Sequence, residues 1–205
     1  MKTGIVATIP GREKTLEIMK RSIIDQLDML IVVYKSPSDG MKFFGADKLT
    51  GYVFILDDDI EYPPDYCDEM ISAIEKYNHH AVICCSGKVM KRRPIDDFYQ
   101  DVHIAYETFK EVKEDAPAEI PLTCAVAYHS DICVGLNESY FKAANMADIF
   151  LAIYCKHRQI PIMVKKRPAN WLKNLMPELP ENSYTIFDSF KCGTPVQTDL
   201  INRYL

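Results

Sequence analysis

The sequence predicts an α/β fold in which helices flank a mixed central sheet. Two observations predict it: apolar runs of five or six residues recur along the chain, and segments with helical periodicity separate them. The runs are continuous rather than alternating in polarity, which is typical of strands covered on both faces. Strands that alternate with helices are typical of parallel pairing, so we expect a Rossmann-like first half.

The first half contains four predicted strands and two predicted helices. The strands are Gly4–Ile9, Met29–Val33, Tyr52–Leu56 and Ala81–Cys85, and the helices are Thr15–Leu27 and a segment from Pro64 or Asp65 to Tyr77. Pro10 and Gly11 close the first strand, and turn-forming residues at 37–40 follow the second. The third strand runs directly into three aspartates.

The second half is less regular. Residues 87–121 are polar and lack a clear period, so we expect loops and short elements there, over one end of the sheet. Further strands are predicted at Leu122–Tyr128, Ile132–Val134 and Ile160–Val164, and a helix at Ala144–Lys156. The prolines beyond Trp171 predict a tail that wraps the domain.

Composition restricts the classes of function. At 205 residues, the chain has the size of one domain, and its net charge of −5 disfavours a nucleic-acid partner. Seven cysteines without a CxxC motif predict neither paired disulfides nor a structural zinc site, so we expect small core residues in a reducing compartment. The chain shows no signal peptide and no apolar stretch long enough for a membrane span, and we expect a soluble, cytoplasmic protein.

The segment FILDDDIEYPPDY carries the strongest chemical signal, because Asp57, Asp58 and Asp59 follow the end of an apolar strand. Ligands of open α/β sheets bind beyond the carboxyl ends of the strands. Three adjacent carboxylates repel one another unless a cation compensates them, and oxygen ligands of this kind suit Mg²⁺ or Mn²⁺. In an extended chain, Asp57 and Asp59 would point to the same side. The alternative is a solvated acidic turn.

Four segments together resemble glycosyltransferases of the GT-A fold, in the broad grouping around glycosyltransferase family 2. They are ATIPGREKTLEIMKRSIIDQ, SDGMKFFG, LDDDIEYPPDY and NMADIFLAIYCKHRQIPI, in that order along the chain. The third matches the Asp-X-Asp (DXD) motif of the family, and the fourth resembles the helix that opens with the catalytic base of inverting members.

The resemblance implies a single GT-A domain over residues 1–205. Residues 1–86 would form the half that binds metal and nucleotide sugar, and residues 87–205 the acceptor-binding half with its C-terminal tail. It also implies a hexosyl or deoxyhexosyl transferase that inverts the anomeric centre, depends on Mn²⁺ or Mg²⁺, and uses a nucleotide-diphosphate sugar, which we expect to be UDP-linked. The acceptor would be a hydroxyl group of a glycan or glycoprotein.

The resemblance also implies the roles of individual residues. Asp59 would bind the metal, with Asp57 on the metal or the ribose, and Asp148 would be the general base that takes the acceptor proton. A helix-terminal aspartate is the structural alternative for Asp148. Many relatives carry an aspartate after the second strand to contact the base, and Tyr34 or Asp39 would replace it here. The other donor-binding candidates are Pro10, Arg12, Lys42, Asp58 and Arg167.

Two other functions remain open. A nucleotide-sugar-binding module would keep the cleft without turnover. A haloacid-dehalogenase-like phosphatase also has two aspartates after a strand, but its motif needs Thr or Val soon afterwards and usually follows the first strand. Here Ile60 and Glu61 follow, on the third strand. Sugar nucleotidyltransferases need a glycine-rich first loop, and PGREKT is poor in glycine.

Overall fold

A computed structural model describes residues 1–34, 38–179 and 195–205. Two residues of the predicted loops, Pro37 and Pro180, lie outside these ranges. Within the described ranges, no helix combines the length and the apolar composition that crossing a bilayer requires.

The secondary structure alternates between strands and helices over the first half and is strand-rich in the middle. The strands are β1 (Lys2–Thr8), β2 (Met29–Tyr34), β3 (Tyr52–Leu56), β4 (Ile60–Glu61), β5 (Val82–Cys84), β6 (Gly87–Met90), β7 (Val102–Tyr106), β8 (Ala116–Pro117), β9 (Ile120–Pro121), β10 (Ala125–His129), β11 (Ile162–Val164) and β12 (Lys173–Asn174). The helices are α1 (Glu13–Ile23), α2 (Tyr66–Glu75), α3 (Ala147–Arg158) and α4 (Pro195–Tyr204).

A seven-stranded mixed sheet forms the centre, in the order β2-β1-β3-β10-β5-β11-β8. Strands β1, β2, β3, β5 and β11 run in one direction, whereas β10 and β8 run against their neighbours. We call the edge where β3 ends the carboxyl edge and the opposite one the amino edge. Because β10 is antiparallel to β3, its first residue Ala125 pairs with Leu56 at the carboxyl edge, and His129 pairs with Tyr52 at the amino edge.

The core lies in two layers, one on each face of this sheet. Ile5 and Val6 are both fully buried but belong to opposite layers, as the alternation of side chains along a strand requires. Val6 packs with residues of α1 and α2, including Met19, whereas Ile5 shares its layer with residues of α3. The strands are continuously apolar because helices cover both faces of the sheet, as predicted.

The predicted elements of residues 1–86 all form, with bounds that move by a few residues. The predicted strand Ile132–Val134 is wrong, because the chain there forms a 3₁₀ helix at Ser130–Ile132 and turns at Gly135, where φ is 73°. The amide of Cys133 donates to the carbonyl of Ser130, a local bond that takes the place of a sheet partner.

Residues 87–121 form short elements, as expected, but β6, β7 and β9 pair into a second, three-stranded sheet that the sequence pattern does not predict. Strand β7 alternates Val102, Ile104 and Tyr106 with two other residues, but none of its residues is fully buried. The tail forms α4, whose Asn202 exchanges two hydrogen bonds of 2.8 Å with the main chain of Ile95. This contact places α4 beside the segment that follows β6.

Candidate active site

The acidic segment forms a tight turn at the carboxyl edge. The chain turns at Asp58 and Asp59 instead of continuing extended, and it returns as β4. Asp58 is buried, where it accepts hydrogen bonds from Thr8 Oγ1 at 2.6 Å and from Arg12 Nη1 at 2.7 Å. The same Nη1 donates to Asp59 at 3.1 Å. The end of β1 and the loop after it are thereby fixed to the acidic turn.

Lys42 approaches the first aspartate from the other side. It lies in the 3₁₀ helix Asp39–Phe43, is buried, and forms an ion pair with Asp57. Burial lowers the pKa of Lys42, but the charges of Asp57, Asp39 and Asp148 outweigh it and leave that pKa raised. Lys42 is therefore a permanent cation at the centre of several carboxylates.

Tyr62 fixes the start of the acidic turn. Its hydroxyl accepts a hydrogen bond from the amide of Asp57 at 2.9 Å and donates one to the carbonyl of Cys124 at 2.8 Å. Because Cys124 directly precedes β10, this bridge joins the ends of two neighbouring strands. Tyr62, the aromatic residue of the acidic segment, thus holds the start of the acidic turn in place.

Negative charge exceeds positive charge in this turn, where three carboxylates meet Arg12 and Lys42. Burial, followed by the charge of Asp57, raises the pKa of Asp59 to about 6, although Arg12 opposes that shift. A carboxyl group with a raised pKa is one whose negative charge the protein leaves incompletely balanced. The donor set consists of carboxylate oxygens, which hard cations such as Mg²⁺ and Mn²⁺ prefer. The chemical type of these donors therefore suits a divalent cation.

Asp148 lies in the first turn of α3, and Thr123 orients it. The amide and hydroxyl of Thr123 both donate to Asp148 Oδ1, at 2.8 and 2.7 Å. Burial, together with the charge of Asp39, raises the pKa of Asp148, although the bonds from Thr123 oppose the shift. Asp39 itself accepts a hydrogen bond from the amide of Ala147 at 3.0 Å, which holds the start of α3 against the Lys42 segment.

One cavity of about 370 Å³ brings these groups together. Asp39, Lys42, Asp57 and Asp148 all line it. Residues of the first and second halves of the chain thus share one cavity at the carboxyl edge, with a buried base candidate on one wall and part of the acidic turn on another.

Lys88, which belongs to the half of the chain expected to bind the acceptor, lines this cavity together with Phe98 and Tyr99, to which the sequence pattern assigns no role. Lys88 Nζ lies 4.1 Å from the ring centroid of Phe98 and 4.9 Å from that of Tyr99. Burial lowers the pKa of Lys88, although Asp148 raises it. Gln197 of α4 completes this wall. The only available signal was the adjacent pair of aromatic residues within an otherwise polar stretch.

Arg167 is placed differently from the other basic candidates. It is 3% exposed, and its guanidinium donates to the carbonyls of Lys165, Glu107 and Thr108 at 3.2, 2.7 and 3.3 Å. Since Thr108 lines the cavity, Arg167 supports the cavity wall from behind. The described contacts do not bring it to the acidic turn.

Pro10 and Tyr34 lie in a second, smaller recess of about 230 Å³ at the ends of β1 and β2. Tyr34 is 63% exposed there, and Thr8, the partner of Asp58, forms part of the same wall. Asp39 lines the larger cavity instead. The structure therefore separates Tyr34 from Asp39, the two substitutes considered for contacting the nucleotide base.

Solved structures share this architecture at low sequence identity. The mannosyltransferase PcManGT from Pyrobaculum calidifontis, in complex with GDP-Man and Mn²⁺, is 13% identical with a TM-score of 0.52, over 98% of this chain and 69% of that one. The predicted fold class is confirmed: this is a GT-A-type, Rossmann-like fold.

Two more solved structures match over nearly their full length. A197 from STIV is 12% identical with a TM-score of 0.51, over 90% of this chain and 96% of that one. The 4-diphosphocytidyl-2C-methyl-D-erythritol synthase from Anaerococcus prevotii is 12% identical with a TM-score of 0.50, over 98% and 96%. No protein-family model and no curated protein sequence matches the chain.

Proposed function

We propose that this chain is a metal-dependent, inverting glycosyltransferase. It would move a hexosyl or deoxyhexosyl group from a nucleotide-diphosphate sugar, UDP-linked in the first instance, to a hydroxyl group of a glycan or glycoprotein. One observation carries the proposal: Asp57, Lys42 and Asp148 line the same cavity at the carboxyl edge of a GT-A-type sheet. A single displacement needs a diphosphate site and a base on opposite sides of one reacting centre.

The N-terminal half would hold the donor. The exposed ring of Tyr34 and the neighbouring Pro10 offer an apolar surface for the nucleotide base, beside the buried Asp58. Arg12 and Lys42 lie nearer the acidic turn, where their charges would bind the diphosphate. Asp59 and Asp57 would hold the divalent cation, which when bound supplies Lewis-acid stabilisation of the leaving diphosphate.

Asp148 would act as the general base. As the acceptor oxygen forms its bond to the anomeric carbon, the bond from that carbon to the diphosphate oxygen breaks, and the acceptor proton passes to the Asp148 carboxylate. Thr123 fixes the carboxylate through Oδ1. Burial raises the pKa of Asp148 and so makes its carboxylate a stronger base than a solvated aspartate.

The acceptor would enter between β6 and α4. Phe98 and Tyr99 form an aromatic wall there, with Lys88 held over their rings. Aromatic faces bind the apolar faces of sugar rings and leave the hydroxyl groups to polar neighbours. This wall therefore suits a sugar ring of the acceptor.

A panel of UDP-, GDP- and dTDP-sugars tests the function. We expect one of them to raise the melting temperature only when Mn²⁺ is present, because a ligand of the folded state stabilises it. We also expect slow Mn²⁺-dependent hydrolysis of the same donor. A donor that binds without any hydrolysis or transfer would favour the non-catalytic binding module, and the absence of any donor shift would contradict the proposal.

A more specific proposal bears on the acceptor and the compartment. Within the GT-A resemblance, a specific counterpart would be the first domain of the multidomain glycosyltransferase with which large chlorella viruses glycosylate their capsid protein, a proposal that has no residue motif of its own. On that proposal, the acceptor would be a capsid glycoprotein and the reaction would take place in the host cytoplasm. If the viral counterpart does not apply, we expect a cytoplasmic enzyme with a glycan acceptor. We expect no nucleic-acid partner for either the viral or the non-viral enzyme.

A further inference from the structure

A histidine cluster lies at the amino edge, at the other end of β3 from the acidic turn. His129, the last residue of β10, stacks on His79 with 3.9 Å between ring centroids and 23° between planes. Asp131 faces both rings: its Oδ2 lies 3.0 Å from His129 Nδ1 and 3.4 Å from His79 Nδ1. Both histidines therefore present the same nitrogen to one carboxylate.

The spacings between Asp131 and the two histidines are close to those of ligands in one coordination shell. In a tetrahedral site with metal–ligand distances of about 2.1 Å, neighbouring ligand atoms are about 3.4 Å apart. The distance to His79 matches that value and the distance to His129 is 0.4 Å shorter, and one ligand atom from each of the three residues lies within 4.8 Å of the others. Because the two rings are stacked, they must turn away from each other for both Nδ1 lone pairs to point at one ion. Two imidazoles with one carboxylate suit Zn²⁺ and leave a position open.

Glu75 fixes the histidine that lies farthest from the sheet. Its Oε1 lies 3.1 Å from His79 Nε2, on the ring nitrogen opposite the one that faces Asp131. A carboxylate that accepts from Nε2–H leaves the lone pair on Nδ1, which is the tautomer a metal requires. Glu75 also accepts a hydrogen bond from the hydroxyl of Tyr52, the residue paired with His129.

The backbone after α2 is shaped to bring His79 into the cluster. Asn78 and His79 have φ of 51° and 65°, the left-handed region that few residues other than glycine adopt. This turn folds the chain back over the sheet edge, so that the segment after α2 and the end of β10 contribute ligands to the same point. The cluster is accessible to an ion, because the side chains of Asp131 and His79 are 65% and 32% exposed.

We infer that His79, His129 and Asp131 form a binding site for Zn²⁺ or a similar borderline divalent ion, with Glu75 as the residue that orients His79. The site is separate from the acidic turn, since β3 spans about 16 Å between them. A bound ion joins the end of α2 to the end of β10. Its function is to stabilise the amino edge of the sheet, at a distance from the proposed chemistry.

Calorimetric titration of the whole chain with ZnCl₂, in the presence of a reductant that does not bind zinc, tests this inference. We expect one site per chain in the wild type, with a matched rise in melting temperature. His129→Gln and the more exposed His79→Gln should weaken that site at least about 100-fold, and Glu75→Gln about 10- to 100-fold. His80→Gln is the matched control, because His80 is the exposed neighbour of His79 and should leave binding unchanged.

Cobalt distinguishes this site from the cysteines. Co²⁺ bound by the cluster should give visible bands without the thiolate charge-transfer band in the near ultraviolet. Three results would each overturn the inference. They are failure of the wild type to bind Zn²⁺, binding by the variants His129→Gln and His79→Gln that is as tight as that of the wild type, and a thiolate band that rises in proportion to the bound metal.

Discussion

The two edges of the central sheet carry opposite kinds of polar cluster on the same strands. At the carboxyl edge, carboxylates and cations are buried together: the Asp58 side chain is 5% exposed and that of Lys42 10%. At the amino edge, imidazoles and carboxylates meet near the surface, and the Asp131 side chain is 65% exposed. Strand β3 connects the two, from Tyr52 to Leu56.

The two edges differ in the free-energy cost of burying their charged groups. Charges removed from water destabilise a fold unless they are paired, and at the carboxyl edge the pairing is incomplete, since the pKa of Asp59 rises to about 6. Such an arrangement is retained where a ligand completes it. The amino edge bears little of this cost, because water reaches its charged groups. Function that depends on fixed charge is therefore expected at the carboxyl edge, and ion binding without chemistry at the other.

Asp148→Asn should have the largest effect. The amide keeps the size and the Oδ1 acceptor for Thr123, but it cannot take a proton, so transfer should fall about 10²- to 10⁴-fold while donor binding persists. Transfer rates and donor affinity in the same preparation measure both. Asp68→Asn, in the first turn of α2 and 82% exposed, is the control for a mere helix-terminal charge. Equal effects of the two variants would support the structural role for Asp148.

Asp58→Asn should act on stability. The substitution removes a buried charge that accepts from Thr8 and Arg12, and hydrogen bonds to charged groups contribute about 2 kcal/mol. We therefore expect the free energy of unfolding to fall by about 2 kcal/mol in urea titrations. The matched variant at the exposed edge, Asp131→Asn, should change it much less. Similar losses in both variants would remove the distinction between the edges.

The pH dependence of transfer should show the raised pKa of Asp148. The base must be ionised, so kcat/KM should fall about tenfold for each pH unit below that pKa. Because burial raises the pKa, the fall begins at a higher pH than it would for a solvated aspartate. Circular dichroism over the same pH range separates this limb from acid unfolding. A rate that stays constant down to the ordinary pKa of aspartate would contradict the assignment.

Tyr34→Ala should have the smallest effect. Since 63% of Tyr34 is exposed, its loss should leave the free energy of unfolding nearly unchanged. Stacking of a base on an aromatic ring contributes about 1 kcal/mol or more, so the Kd for UDP should rise by roughly fivefold or more. An unchanged Kd would place the base elsewhere.

Much of the carboxyl edge follows from the sequence. Strand β3 is a continuous apolar run that ends in the aspartates, and the rule that ligands bind at strand ends is enough to select Asp57 and Asp59 as candidate site residues. What the sequence does not contain is the partner of each charge. The pairs Lys42–Asp57 and Arg12–Asp58 are 15 and 46 residues apart, and the tertiary fold brings them together at the ends of neighbouring strands.

The second half was harder to predict for physical reasons. Strands β6, β7 and β9 form a small sheet that is not covered on both faces, so they lack the continuous apolarity that reveals β1 or β3. The contact of Thr123 with Asp148 depends on how α3 packs against the segment before β10. The histidine cluster likewise joins a helix end to a strand end that are distant in sequence.

Calorimetric titration with UDP, with and without Mn²⁺, tests the central claim most directly: that the acidic turn binds a divalent ion together with a diphosphate. We predict that Mn²⁺ strengthens UDP binding to the wild type and to Asp131→Asn, and that Asp59→Asn abolishes this gain. UDP binding that is indifferent to Mn²⁺ in the wild type, or a full gain in Asp59→Asn, would contradict the claim.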